Sequence, residues 1–186
     1  SAHVPMQRTD AMADRLELLE PGDDVLYFDE PCPPRVAAQI DAAARAYGQP
    51  AAEQRLLFAY FLAPEQLSVL VALYRYYFYQ HRLDDALLVA ERALEVSARR
   101  LQLPGGWRNL GPRTLGEAAM RSMGMLRFHL LALKGSAVIL LRLGQVGEAC
   151  TRLRTIAGVD QRDFLGARPL LAVIDRHVTP LTEPLD

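Results

Sequence analysis

Small residues recur at fixed positions of a helix–turn–helix pattern along the middle of the chain. Two alanines that lie seven residues apart return 34 residues later, and they return again after a longer gap with isoleucine as the second residue. A repeat of this length is one unit that cannot bury its apolar face alone, so neighbouring units must stack. The equivalent positions are Ala52, Ala86 and Ala149 for the first residue, Ala59, Ala93 and Ile156 for the second, and His81 and Gly144 for the turn.

Helical periodicity surrounds these positions. The spacing predicts helices over 35–47, 51–62, 65–80 and 84–100, and the short connectors between them predict that neighbours pack antiparallel. Helix formers dominate, and β-branched residues never alternate over a useful length. Hydrophobic residues make up 51% of the 186 residues and charged residues 23%, which is typical of a globular chain. The predicted fold class is therefore all-α.

The second and third units carry a family resemblance. The segment LYRYYFYQHRLDDALLVAERALEV and the segment LRLGQVGEACTRL resemble tetratricopeptide repeats. Tyr74 and His81 depart from that pattern, because the family prefers a small residue and glycine there, and Gly48 lies one residue late. The resemblance covers about 33–100 and 130–163. It implies an antiparallel helix-pair superhelix, a solenoid of about three units; a helical bundle with coincidental alanine spacing is the alternative. The matching residues are Leu73, Tyr77, Leu83, Ala86, Ala93, Leu94, Gly144 and Ala149.

The two ends of the chain differ from its middle. Residues 1–31 hold eight acidic residues against two arginines, whereas the remainder has a net charge of +5. We interpret 1–31 as an acidic, partly extended segment with a short helix over 10–19, and 32–178 as the helical domain. A C-terminal capping helix with Pro169 in its first turn covers the last unit, and 179–186 form a tail.

An insertion at about 101–129 separates the second unit from the third. Thr114 and Glu117 have the spacing of a capping box, so a long helix is predicted from about 115 to 143, with a bend near Gly124 or Gly135 as the alternative. Trp107, Arg108 and Arg113 form a possible second binding surface in this basic region. The alternatives are a solvated arginine face and a tryptophan that fastens its loop to the body.

No pattern in the chain predicts catalysis. The four histidines and two cysteines lack metal-ligand spacing, and no phosphate-binding glycine loop or nucleophile motif occurs. We therefore predict no enzyme activity, no metal site and no cofactor. A net charge of -1 favours neither nucleic acid nor an anionic membrane as partner. The apolar stretch 125–143 is interrupted by charges and is interpreted as a buried helix; with no secretory signal, a cytoplasmic protein is predicted.

The family resemblance implies a binding site. In tetratricopeptide proteins the first helices of successive units line a groove that receives a peptide. A basic and aromatic groove predicts an acidic protein or peptide partner with hydrophobic anchors, so the chain is expected to be a non-catalytic interaction module. Alternatives are a secretion-type or assembly chaperone, a homodimer, an enzyme with a hidden site, and a groove already filled by the acidic 1–31 segment. The implied groove residues are Asp41, Arg45, Val71, Arg75, Phe78, Tyr79, Lys134, Val138 and Arg142.

Overall fold

A computed structural model describes residues 30–177. The acidic residues before Glu30, the helix predicted over 10–19 and the 179–186 tail lie outside this range. Within it the chain forms α-helices and one short 3-10 helix, and no strand, so the predicted all-α class is confirmed. The helices are α1 Pro34–Arg45, α2 Pro50–Leu62, α3 Leu67–Tyr79, α4 Leu83–Arg100, α5 Pro112–Arg121, α6 Met123–Arg142, α7 Val146–Val159 and α8 Ala167–His177, with the 3-10 helix at Gly106–Asn109.

Three pairs of consecutive helices pack along the chain. α1 packs on α2, α3 on α4, and α6 on α7, while α2 contacts α3, α4 contacts α6, and α7 contacts α8. The repeated small residues lie inside these contacts: Ala52, Ala86 and Ala149 have no exposed surface. Their small side chains let the helices approach closely, which is the role that the repeat spacing predicts.

The turns inside the second and third pairs share one backbone geometry. His81 has a φ of 57° and Gly144 a φ of 79°, so both lie in the left-handed region. In each turn the next amide donates to the carbonyl five positions earlier, at 2.9 Å after His81 and 2.8 Å after Gly144. This bond closes the C-terminus of the preceding helix in the manner of a Schellman motif. The two sequence positions are therefore equivalent in structure.

The insertion differs from its prediction, because the long helix is divided in two. Ser122 has an extended backbone between α5 and α6, and its Oγ accepts a hydrogen bond from the Met125 amide at 3.1 Å. Serine thus acts as the N-cap of a new helix. The capping box is also displaced by three residues: Thr114 lies in the first turn, where its Oγ1 accepts from the Gly111 amide at 2.8 Å, and Glu117 pairs with Arg113.

α6 is the central helix of the described region. It is long and apolar enough to cross a membrane by length and composition, yet most of its side chains are buried against α4 and α7. This agrees with the interpretation of 125–143 as a buried helix.

Candidate binding groove

A groove of about 550 Å³ lies between α1 and α3, with one residue of α2 at its base. Its walls are almost entirely apolar, and a single guanidinium and the tyrosine hydroxyl groups supply the polar atoms. An apolar cleft with a few polar groups is the usual form of a binding site. The residues that line it are Ile40, Ala43, Ala44, Tyr47, Leu56, Ala72, Arg75, Tyr76 and Tyr79.

The α3 wall of the groove is one face of the helix. Ala72, Arg75 and Tyr79 follow each other at spacings of three and four residues, so their side chains lie above one another. The other faces of α3 are buried in the core, because the helix is apolar nearly all round. Arg75 is half-buried and Tyr79 is 48% exposed. Both residues were predicted for this groove from the sequence.

Aromatic contacts position the rings that form the groove walls. Tyr47, which follows α1, meets Tyr76 of α3 edge to face, with ring centroids 6.4 Å apart. Tyr79 meets Phe78 in the same way at 5.7 Å. Such contacts contribute about 0.5–1.5 kcal/mol each beyond the area that they bury. These contacts therefore fix the orientation of the rings in the groove walls.

Positive charge lies at the ends of the first helices of the pairs. Arg45 ends α1 and is exposed, and Arg142 ends α6 and is exposed as well. The Arg142 guanidinium lies 4.8 Å from the centre of the Phe78 ring, which brings the end of α6 to α3. Phe78 itself is only 5% exposed, so it supports Arg142 instead of offering a contact surface. Asp41 is exposed on α1.

The structure corrects the interpretation of the other implied groove residues. Lys134 is 1% exposed, and its Nζ donates to the Leu165 carbonyl in the loop after α7. Burial lowers the pKa of Lys134 to about 8, although Asp163 and Asp160 oppose the shift. Its ammonium group therefore binds the loop and is not exposed in the groove. Val71 is buried and Val138 half-buried, so both belong to helix packing.

The possible second surface around Trp107 is not an open surface. Trp107 is buried, with the Arg108 guanidinium 4.3 Å and the Arg152 guanidinium 5.1 Å from its ring. Arg152 is itself buried and is held by Glu91 and by Glu148 at 3.3 Å. The tryptophan therefore fastens the 3-10 helix to the body. Arg113 is exposed on α5, away from this cluster.

Sequence reasoning missed a second apolar depression of about 750 Å³ between α5, α6 and the loop after α7. We call it the α5–α6 trough. Leu115 and Leu130 lie in its walls, and Met123 and Phe164 are 52% and 80% exposed at its edges. The amphipathic pattern of α5 was the available signal, but the trough exists only because Ser122 divides the predicted long helix.

Among residues 30–177 no three or more His, Cys, Asp or Glu side chains are grouped closely enough to hold a metal ion. Of the implied groove residues, the structure places Arg75 and Tyr79 in the groove wall. Arg45 follows the lining residue Ala44 in the sequence, and Arg142 contacts Phe78 of α3.

Comparison with known proteins gives one informative relative. No family model matches the chain, and no solved structure matches it. The chain is 47% identical over 152 residues to a protein of Azotobacter chroococcum mcd 1 described as "Uncharacterized 19.8 kDa protein in nifW 5'region". The match covers 82% of this chain and 85% of the relative. The chain therefore belongs to the same protein family as this Azotobacter protein.

Proposed function

We propose that this protein is a non-catalytic interaction module that binds an acidic peptide segment of another protein in the α1–α3 groove. The observation that supports it most is the combination of apolar walls with Arg75 inside and Tyr79 at the rim. The apolar walls suit hydrophobic anchors, and the guanidinium suits a carboxylate, which it can bind through two parallel hydrogen bonds.

The repeat architecture is part of the same proposal. Three helix pairs with packing alanines at equivalent positions suit a tetratricopeptide-like solenoid, in which the first helices face the ligand. The groove lies between two of these first helices, α1 and α3, and Arg142 of the third lies beside it. A solenoid module of this kind would act as an adaptor or assembly factor.

The relative suggests where to look for the partner. Its printed description places its gene in the 5' region of nifW. We therefore propose that proteins encoded beside the gene of the present chain are tested first, with the nifW product among them where that gene is adjacent.

The test compares binding before and after the groove is changed. Candidate partners and their acidic segments are titrated against the purified chain by isothermal titration calorimetry. Arg75→Glu reverses the charge of the groove, and Ala44→Glu adds bulk and negative charge at an exposed position of its α1 wall. Both changes should weaken binding by at least about 30-fold, since a buried charged hydrogen bond contributes roughly 2 kcal/mol or more.

Arg113→Glu is the matched control for these variants. Its side chain is 92% exposed and lies on α5 outside the groove, so this change should leave the affinity unaltered. Circular dichroism melts establish that all three variants are folded. A partner that binds wild type and both groove variants equally would show that the α1–α3 groove is not the binding site.

A second candidate function is an assembly chaperone that shields apolar segments of a client. The exposed Met123 and Phe164 at the α5–α6 trough favour it, because an adaptable apolar surface can accept varied sequences. Such a chaperone should hold an aggregation-prone client in solution at a stoichiometric ratio, as measured by light scattering. Met123→Glu should abolish that protection, whereas Arg75→Glu should not.

A further inference from the structure

We propose that the α1–α3 groove is occupied by the chain's own acidic N-terminal segment, with residues 23–29 (DDVLYFD) as its ligand-like part. An outside partner would then have to displace this segment. The inference rests on the proposed function, since it assigns the regulation of the same groove. It also describes the partner more closely, as a segment with a short apolar core between carboxylates.

The chain before α1 is held where the end of α4 lies beside the beginning of α3. Glu30 Oε1 lies 2.8 Å from Arg100 Nη1 at the end of α4. Two residues later, the Cys32 sulfur lies 3.7 Å from the Ser68 hydroxyl on the first turn of α3. The residues that precede Glu30 therefore start from a fixed point near the beginning of α3.

The face of α3 that carries Ser68 continues into the groove. Ser68 precedes Ala72, Arg75 and Tyr79 at helical spacing, so all four share one face of the helix. At a rise of about 1.5 Å per residue, Arg75 lies about 10 Å and Tyr79 about 16 Å beyond Ser68. An extended chain spans about 3.3 Å per residue, so residues 23–29 can span about 23 Å, which is longer than either distance from Ser68.

The chemistry of the segment matches that of the groove. Residues 25–28 (VLYF) are apolar and are flanked by Asp23 and Asp24 on one side and Asp29 on the other. The groove offers apolar walls around Arg75. Arg45 directly follows the lining residue Ala44, and Arg142 lies over the ring of Phe78, the neighbour of the lining residue Tyr79. Aromatic and aliphatic side chains would fill the walls, and the carboxylates would lie near the guanidinium groups.

Tethering gives the segment an advantage over any outside ligand. A segment joined by a short linker competes at an effective concentration of about 1 mM. If residues 23–29 bind the groove with a dissociation constant of about 100 µM, the groove is closed about nine-tenths of the time. The apparent affinity for an outside segment then falls about tenfold.

The experiment measures whether removing the tethered segment's side chains opens the groove. The probe is a fluorescein-labelled peptide of residues 20–31 (EPGDDVLYFDEP), and its binding to full-length chains is followed by fluorescence anisotropy. One variant disables the segment, and a control variant makes equivalent changes elsewhere in the acidic region. The segment variant carries Asp23→Asn, Asp24→Asn, Tyr27→Ser and Phe28→Ser, and the control carries Asp10→Asn, Asp14→Asn, Leu16→Ser and Leu19→Ser.

We expect the segment variant to bind the peptide at least about tenfold more tightly than wild type and the control do. Adding Arg75→Glu to the segment variant should remove that binding. Equal affinities for wild type and the segment variant would overturn self-occupancy, as would a peptide that binds neither chain. Self-occupancy within one chain is also overturned if light scattering finds a dimer for wild type and a monomer for the segment variant, because the segment would then fill a neighbour's groove.

The outcomes separate this inference from the proposed function. If the peptide fails but a partner still binds in a manner that Arg75→Glu and Ala44→Glu abolish, only self-occupancy falls. If the peptide binds the segment variant and neither groove substitution weakens it, the groove is not the site and both proposals fall.

Discussion

His129 is expected to make the free energy of unfolding decrease as the pH falls. The imidazole has no exposed surface, and its Nδ1 lies 2.7 Å from Ser97 Oγ where α4 meets α6. Because Ser97 Oγ also lies 2.7 Å from the Ala93 carbonyl, we assign its hydroxyl hydrogen to that carbonyl and Nδ1–H of His129 as the donor to Ser97 Oγ. Nε2 then carries only a lone pair, and it has no hydrogen-bond partner among residues 30–177.

The magnitude follows from the cost of adding a second proton to His129. Protonated Nε2 would be a buried donor without an acceptor, and burial lowers the pKa of His129 from 6.5 to about 4. The unfolded chain takes up this proton below pH 6.5, whereas the folded chain takes it up only near pH 4. The stabilisation is therefore complete above pH 6.5 and is lost as the pH falls towards 4. At about 1.4 kcal/mol for each pH unit between these values, the loss reaches about 3 kcal/mol.

The assay is urea unfolding followed by circular dichroism at pH 7.5, 6, 5 and 4, for wild type and His129→Asn. Asparagine keeps a donor for Ser97 but cannot gain a proton, so the variant should lose the pH dependence that His129 causes. The exposed His177→Asn is the control. The reasoning is refuted if the difference in unfolding free energy between wild type and His129→Asn changes by less than about 1 kcal/mol across this range. An NMR titration that places the pKa of the His129 ring near 6.5 would refute it as well.

Two further perturbations test the packing and the turns. Trp107→Ala should lower the unfolding free energy by about 3 kcal/mol. Because the side chains of Trp107 and Arg152 are in contact, a double-mutant cycle with Arg152→Ala should give a coupling energy of about 1 kcal/mol or more. His81→Gly should raise the thermal midpoint, because glycine removes the strain of a left-handed backbone at φ 57°, about 1 kcal/mol. Gly144→Ala should lower the thermal midpoint, because alanine introduces the same strain. An unchanged midpoint in both turn variants would contradict the left-handed backbone of the two turns.

Local spacing was sufficient to predict most helices. The predictions over 35–47, 51–62 and 84–100 end within two residues of α1, α2 and α4, because the periodicity of apolar residues and the short connectors are local properties. The packing of Ala52, Ala86 and Ala149 also followed from spacing. The tetratricopeptide type of the repeat stays a prediction.

The break at Ser122 was anticipated from the sequence only as a bend near Gly124, two residues away. The surrounding alanine, methionine, arginine and leucine residues favour a helix, whereas Ser122 and Gly124 do not, so the local sequence alone does not decide between one long helix and two shorter ones. Packing decides between them: Ala118 of α5 and Leu126 of α6 are buried in one cluster with the end of α4. A straight helix through Ser122 would carry α5 away from this cluster and expose it.

The surroundings of α6 explain why only one of its implied groove residues is exposed. Lys134, Val138 and Arg142 are spaced by four residues and share a helix face, so the sequence alone gives them equal standing. The loop after α7 covers the earlier part of that face, and the Leu165 carbonyl of this loop accepts a hydrogen bond from Lys134 Nζ. Only the residue at the helix end stays exposed.

A place at the end of a helix also explains why Arg45 is exposed. It is the last residue of α1, as Arg142 is of α6, and a cation there interacts favourably with the negative end of the helix dipole. Arg142 at the end of α6 contacts Phe78 near the end of α3, so the carboxyl ends of these two helices lie close together. The positive charge of Arg45 and Arg142 is therefore explained by their places at helix termini, and it does not require a motif dedicated to ligand binding. A module built in this way would gain affinity for acidic segments from its fold, while selectivity among those segments would depend on the apolar walls around Arg75.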